Sequence, residues 1–237
     1  MKKIILMATM MVAALTASAQ YDAGTWSLNI RYGYSGATLI NTPDIEIGST
    51  FGMLMDMPAG KLKSSAVGGQ TVGVELEKQL ADKFSLSAGV DWLRIGTGWE
   101  DYKWNAENID YKLDDVSIRL NYVAVPVLAN FYVWRGLALH AGVQFGYLTD
   151  AHTDGEVTYD NDGDYTLSMS RGCKSDFNKF DFSIPVGISY EWRSHFVLDA
   201  RCNIGLTNVN KEKTPEGKDM QNFSLQLTLG YKLNLSE

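Results

Sequence analysis

The sequence predicts an all-β fold, an eight-stranded antiparallel up-and-down transmembrane β-barrel with long external loops. Three observations carry that expectation. Eight segments alternate apolar and polar residues with period two. Their connections run long, short, long, short, long, short, moderate, the rhythm of external loops and periplasmic turns in bacterial barrels. A basic, then apolar stretch ending in Ala17-Ser18-Ala19 opens the chain, as in a cleavable secretory signal.

That opening stretch has Lys2 and Lys3, then an apolar run from Ile4 to Leu15. The run is well short of the roughly 20 residues a spanning helix requires. Residues 1–19 therefore read as signal peptide, with a retained anchor as the competing reading, and 20–237 as one barrel domain.

The first strand, Thr25 to Tyr34, sets Trp26, Leu28, Ile30, Tyr32 and Tyr34 against Ser27, Asn29, Arg31 and Gly33. A long connection, about 35–67, leads to the second strand at 69–80, where Val72, Val74 and Leu76 oppose Glu75 and Glu77. Ala81-Asp82-Lys83 turns it into the third, with Phe84, Leu86, Ala88, Val90 and Trp92 opposite Ser85, Ser87, Gly89 and Asp91. After a polar connection at about 96–114, the fourth strand puts Val116, Ile118 and Leu120 outward and Ser117, Arg119 and Asn121 inward. Its parity is lost past Pro126, where a bulge or irregularity is expected because proline cannot donate to the ladder.

Arg135-Gly136 turns into the fifth strand at 137–148, with His140 and Gln144 on its polar face. A third long connection follows at 149–178. The sixth strand, Phe180 to Trp192, alternates throughout, with Asp181 and Glu191 on its polar side. Arg193-Ser194 leads to the seventh, where Asp199, Arg201 and Asn203 oppose Leu198, Ala200 and Cys202. The last strand runs from Phe223 to Leu233, with Lys232 inward.

In a small barrel the apolar wall must meet hydrocarbon, and aromatics at both strand ends fit two interfacial girdles. The inward set forms the expected interior charge network: Arg31, Glu75, Glu77, Asp91, Arg119, His140, Asp181, Glu191, Asp199, Arg201 and Lys232. Eight strands leave a lumen about filled by side chains, so the interior reads as a salt-bridged plug and not a pore. Inward glycines such as Gly73, Gly89 and Gly187 leave room for the long residues opposite.

Loss of Lys2 and Lys3 reduces the 21 Lys and Arg to 19 against 28 Asp and Glu, a formal charge of −9. That balance excludes nucleic acid as a natural partner. Outer-membrane lipid is the expected surroundings, with any protein partner meeting the external loops or periplasmic turns. The two cysteines, Cys173 in a polar loop and Cys202 mid-strand, are badly placed for a disulfide.

Three stretches together resemble the PorT-like outer-membrane β-barrel family common in the Bacteroidetes. They are Tyr122-Val123-Ala124-Val125-Pro126-Val127-Leu128, then Leu139 with Gly142-Val143-Gln144-Phe145-Gly146-Tyr147-Leu148, and Phe180-Asp181-Phe182 with Gly187. The seventh strand, with Asp199, Arg201, Asn203, Gly205, Leu206, Thr207 and Asn208, looks like that family's penultimate strand. The resemblance implies a barrel in the outer membrane, and the family's founding member is associated with protein secretion and gliding. The family often has a glutamate where this chain has Ala124, so no role of that carboxylate transfers.

Motifs for chemistry are sparse. Three histidines, His140, His152 and His195, belong to no catalytic motif, and no G-x-S-x-G is present. His152 with Asp154 suggests at most a fragment of a site. Asp160, Asp162 and Asp164 resemble the start of a calcium loop, but Gly163 and Arg171 stand where the loop glycine and glutamate would be needed. No phosphate-cradling glycine loop or cysteine-rich metal site occurs, and no cofactor is expected. In the first external loop, Phe51, Met53, Leu54, Met55 and Met57 form an apolar patch suited to partner contact or to packing over the barrel mouth.

The leading expectation is a small non-enzymatic barrel with a plugged interior, acting in envelope structure or in partner binding through its external loops. Next come a PorT-like accessory of a secretion machine, then an envelope enzyme using His140 or His152, or a soluble lipocalin-like binder.

Overall fold

The computed structural model describes residues 22–47, 60–106, 109–160, 164–193 and 195–235. The expected signal at 1–19 and the patch Phe51, Met53, Leu54, Met55 and Met57 lie outside the described residues. Thirteen strands occur among the described residues: β1 (Trp26–Ile40), β2 (Ile45–Ile47), β3 (Gly60–Leu62), β4 (Ser64–Ser65), β5 (Val67–Ala81), β6 (Phe84–Trp99), β7 (Tyr102–Ala106), β8 (Ile109–Trp134), β9 (Leu137–Asp160), β10 (Asp164–Gly172), β11 (Phe180–Glu191), β12 (Phe196–Gly205) and β13 (Gln221–Asn234).

Eight of these, β1, β5, β6, β8, β9, β11, β12 and β13, pair antiparallel in chain order. β13 returns to β1 from Ser27↔Asn234 to Ile40↔Gln221 and closes the ring. Closure matters because hydrocarbon offers no partner to an open strand edge. One tight turn shows its local cause: Gly136 sits at φ 72°, a left-handed conformation glycine adopts without steric cost.

The period-two pattern places the apolar sets outward. Val72, Val74 and Leu76 on β5 and Leu225, Leu227 and Leu229 on β13 are all exposed. In water such a wall would be an aggregation surface; against lipid it is the matching one. Aromatic pairs mark both rims of the wall. Phe145 with Phe182 and Tyr147 with Phe180 stand at the loop end, and Tyr190 with Trp192 and Phe196 with Tyr231 at the turn end.

The strands outrun the sequence expectation at the loop end. β8 has 26 residues and β9 has 24. At about 3.3 Å per residue β8 extends ~85 Å, far more than the roughly 25 Å apolar band needs. The excess forms a four-stranded sheet, β7-β8-β9-β10, beyond the barrel wall. Much of the connections expected at 96–114 and 149–178 is therefore strand.

Two inward prolines each interrupt one ladder. At Val125 and Pro126 the β8 pairing to β6 lapses, while pairing to β9 runs on through Pro126↔Gln144. At Ile184 and Pro185 the β11 pairing to β9 lapses, while the β12 side continues. Each proline lacks one N–H, so each ring costs one side of its strand only. The outright register shifts of the β8–β9 pairing lie elsewhere, between Asp114 and Ser117, between Asn121 and Tyr122, and between Tyr132 and Trp134.

The interior divides into two halves. The turn-end half is polar, as expected. The loop-end half is not: Ala37, Leu39, Leu93, Ile95, Leu120, Tyr122, Ala124, Leu148 and Ala151 form one buried apolar cluster, roofed by Cys173, Phe177, Val209 and Met220. Leu120, expected outward, is fully buried there. Leu120 keeps step with the inward Tyr122, Ala124 and Pro126, because the extra residue at the Asn121/Tyr122 shift, Thr149, lies on β9 and leaves the parity of β8 unbroken. The roof also excludes the water that a polar lining would serve.

Candidate functional site

The inward polar residues of β1, β5, β6, β9, β11, β12 and β13 converge in the turn-end half as two linked clusters. In the first, Arg31 lies between two carboxylates. Its Nη1 donates to Glu75 Oε2 at 2.8 Å, and its Nη2 and Nε donate to Asp91 at 2.5 and 3.2 Å. The planar guanidinium is the side chain suited to such a forked contact. Arg201 Nη2 donates to the same Glu75 oxygen at 3.3 Å, and its Nε lies 3.4 Å from Asp199. His140 Nε2 lies 3.4 Å from the other Asp199 oxygen. All six residues are buried.

In the second cluster Lys232 bridges Glu77 at 2.7 Å and Glu191 at 3.2 Å. Tyr132 donates its hydroxyl to Glu77 and accepts from Lys232 at 3.2 Å. His195, at the turn, lies 3.5 Å from Glu191. Glycines supply the space: a Cβ on Gly73 would meet Asp91 Oδ1, and one on Gly187 would meet His140 Nε2.

Two expected members of the network stand apart from it. Asp181 is buried at the loop-end side, where it accepts from the Thr207 hydroxyl at 2.8 Å. Arg119 is not interior. Its side chain is 43% exposed and lies 3.8 Å from Asp154, because Arg119 falls on the parity opposite to the inward Leu120, Tyr122, Ala124 and Pro126. Tyr132 was missed. Leu128, Asn130 and Tyr132 keep step with Pro126, so its inward position follows once that parity is carried through the proline.

Space between these groups is scarce. The cavity beside the charge clusters holds about 30 Å³, and one between Leu93, Tyr122 and Asp181 about 10 Å³. That is room for a water or two. The barrel interior is filled by its own side chains, and His140 faces no space large enough for a substrate.

Beyond the apolar wall, the four-stranded sheet has one aromatic face. Trp104, Tyr111, Tyr159 and Tyr165 are successive cross-strand partners on β7, β8, β9 and β10. Their ring centroids are 5.0, 5.9 and 5.3 Å apart, and Tyr102 extends the row at 6.1 Å from Trp104. Such rows add stacking to area burial. The other face is polar. Glu156 accepts from Ser168 at 3.0 Å and Asp154 from Ser170 at 2.7 Å. Lys112 contacts Asp114 and Asp101 at 2.6 and 3.0 Å, and those hydrogen bonds push its ammonium up to about 12. β10 is an outer strand of this sheet, and Tyr165, Leu167 and Met169 on it are exposed.

The other sequence candidates fall here too. Asp160 and Asp164 are backbone partners across the β9–β10 hairpin, and Asp162 lies outside the described residues. Among the described residues no group of three His, Cys, Asp or Glu could hold a metal ion. His152 meets Asp150 at 2.8 Å, not Asp154, which is engaged by Ser170 and Arg119. Cys173, expected in a polar loop, is buried in the loop-end cluster, and Cys202 is half-buried on β12.

A family model described as "Outer membrane protein beta-barrel domain" matches residues 19–211. No curated protein matches the chain. Among solved structures, Ail, the attachment invasion locus protein of Yersinia pestis, is 14% identical, with 89% of this chain and 99% of that one covered at a TM-score of 0.39. AlkL in DMPC lipid bilayers is 15% identical, covering 94% and 96% at 0.43. OprG of Pseudomonas aeruginosa is 10% identical, covering 90% and 98% at 0.41. Likenesses at these scores carry no argument; the family match and the closed, apolar-walled ring do. The chain belongs to the outer membrane protein beta-barrel domain family, and its place is the outer membrane.

Proposed function

We propose that this protein is a non-enzymatic, non-conducting barrel of the bacterial envelope that meets its partners through the strands and loops beyond the membrane. The observation that carries the reading is the filled interior, with about 30 Å³ beside the charge clusters and an apolar plug above them. A barrel that passes nothing through its lumen works by what it presents outside. The external sheet, with Tyr165, Leu167 and Met169 exposed, is the surface it presents. We also read residues 1–19 as the signal that delivers the chain to the envelope.

Reconstitution in a planar bilayer tests the reading. The expected record shows no unit conductance at any holding potential; a stable open level overturns it. The second reading is a PorT-like secretion accessory, favoured by the strand motifs at 122–128, 139–148 and 180–187. It predicts that deleting the gene empties the secreted fraction, whereas the first reading predicts an unchanged secreted profile.

A further inference from the structure

Where the external sheet meets the barrel mouth, a cleft of about 540 Å³ opens on the aromatic side of the sheet. Ile45 of β2 and Leu62 of β3 form one wall. Leu113 and Val116 of β8 and Met169 of β10 form the others. Gly155 of β9 supplies no side chain, and only Val116, at 3.7 Å, comes within 4 Å of the place its Cβ would take. Cys173 lines the cleft and also belongs to the apolar plug, so the bottom of the cleft is the top of the plug. The cleft ends at the plug and stays open on its outer side.

Volume, shape and lining define the occupant. Small-molecule sites run roughly 300–1,000 Å³, mostly apolar, with a few polar groups that fix orientation. Here the polar groups are of both signs: Arg171 and Asp176 line the cleft, and Asp154 has Arg119 at 3.8 Å. A lining balanced in this way selects neither an anion nor a cation. A donor and an acceptor remain for one hydroxyl or carbonyl on the ligand.

We propose that this cleft binds an uncharged, largely apolar small molecule carrying at most one hydrogen-bonding group, taken up from the external medium. The site needs no lumen, so it stands independently of whether the barrel conducts.

Equilibrium dialysis of radiolabelled 1-naphthol against the full-length protein in phospholipid nanodiscs tests the proposal, with empty nanodiscs as reference. The expected result is a saturable excess over empty discs of one molecule per chain. Gly155→Phe, which places a ring in the cleft, loses that excess while retaining the heat-modifiable gel mobility of the folded barrel. Naphthalene-2-sulfonate shows no excess. Three outcomes overturn the proposal. Wild type shows no saturable excess; or Gly155→Phe retains it, placing the molecule in the lipid around the barrel; or binding appears only after Phe51, Met53, Leu54, Met55 and Met57 are replaced by serine, making the chain's own 48–59 segment the occupant. Equal binding of the sulfonate overturns the specification of an uncharged ligand.

Discussion

The two halves of the barrel interior share one ring of strands and one period-two alternation, yet they are filled by opposite chemistries. At the turn end, Arg31, Arg201 and Lys232 knit five carboxylates together. At the loop end, Leu93, Ile95, Leu120 and Leu148 pack under Phe177, Val209 and Met220. Strand geometry decides which residues point inward but not what they are. What differs is the closure of the mouth. External segments roof the loop end and exclude water, so burial of apolar area stabilises it. Among the described residues the turn end is closed by tight turns, and long charged side chains fill it by pairing.

The sharpest way to break this contrast is to remove a charge from the paired half. Arg31→Leu leaves Glu75 and Asp91 facing each other without their shared cation, and stranded buried charges cost about 3–5 kcal/mol. The urea midpoint of refolded protein, followed by the heat-dependent gel shift, should fall accordingly; a change below about 1 kcal/mol would mean that water already solvates this half.

In the apolar half, Leu148→Ala removes packing atoms from a fully buried position and should cost about 3 kcal/mol on the same assay. A loss under about 1 kcal/mol would show that the roof settles into the gap. Gly187→Ala tests the space between the clusters and should cost about 2 kcal/mol, since the added methyl meets both His140 and the Ala200 carbonyl. A stabilising result would mean that His140 swings freely. Arg119→Ala is the smallest expected effect, below about 1 kcal/mol, because that pair is long and exposed. A loss as large as that of Arg31→Leu would return Arg119 to the interior network.

Much of this architecture was legible in the alternation of residues. All eight strands are present, because a wall facing lipid and a wall facing a filled lumen impose period two over every crossing. The convergence of Arg31, Glu75, Asp91 and Asp199 could be read the same way, since polar residues on an inward face have nowhere else to go. The loop-end plug was not legible. Leu93 and Ile95 keep step with the inward Asp91 and Leu120 with the inward Tyr122 and Pro126, yet all three are apolar, so a rule that sends apolar residues to the lipid misplaces them. Nor does a sequence show that Trp104, Tyr111, Tyr159 and Tyr165 share one level. That depends on the register of four strands, which the shift between Asp114 and Ser117 sets.

The seam between β1 and β13 joins the first strand of the ring to its last over fourteen-residue registers. A chain halted before Gln221 would set the facing edges of β1 and β12 against hydrocarbon, each unpaired backbone group costing several kcal/mol. No shorter ring of this polypeptide is a stable object in the bilayer. Entry into the membrane is therefore all-or-none, and the last strand of the ring holds the veto over every strand made before it.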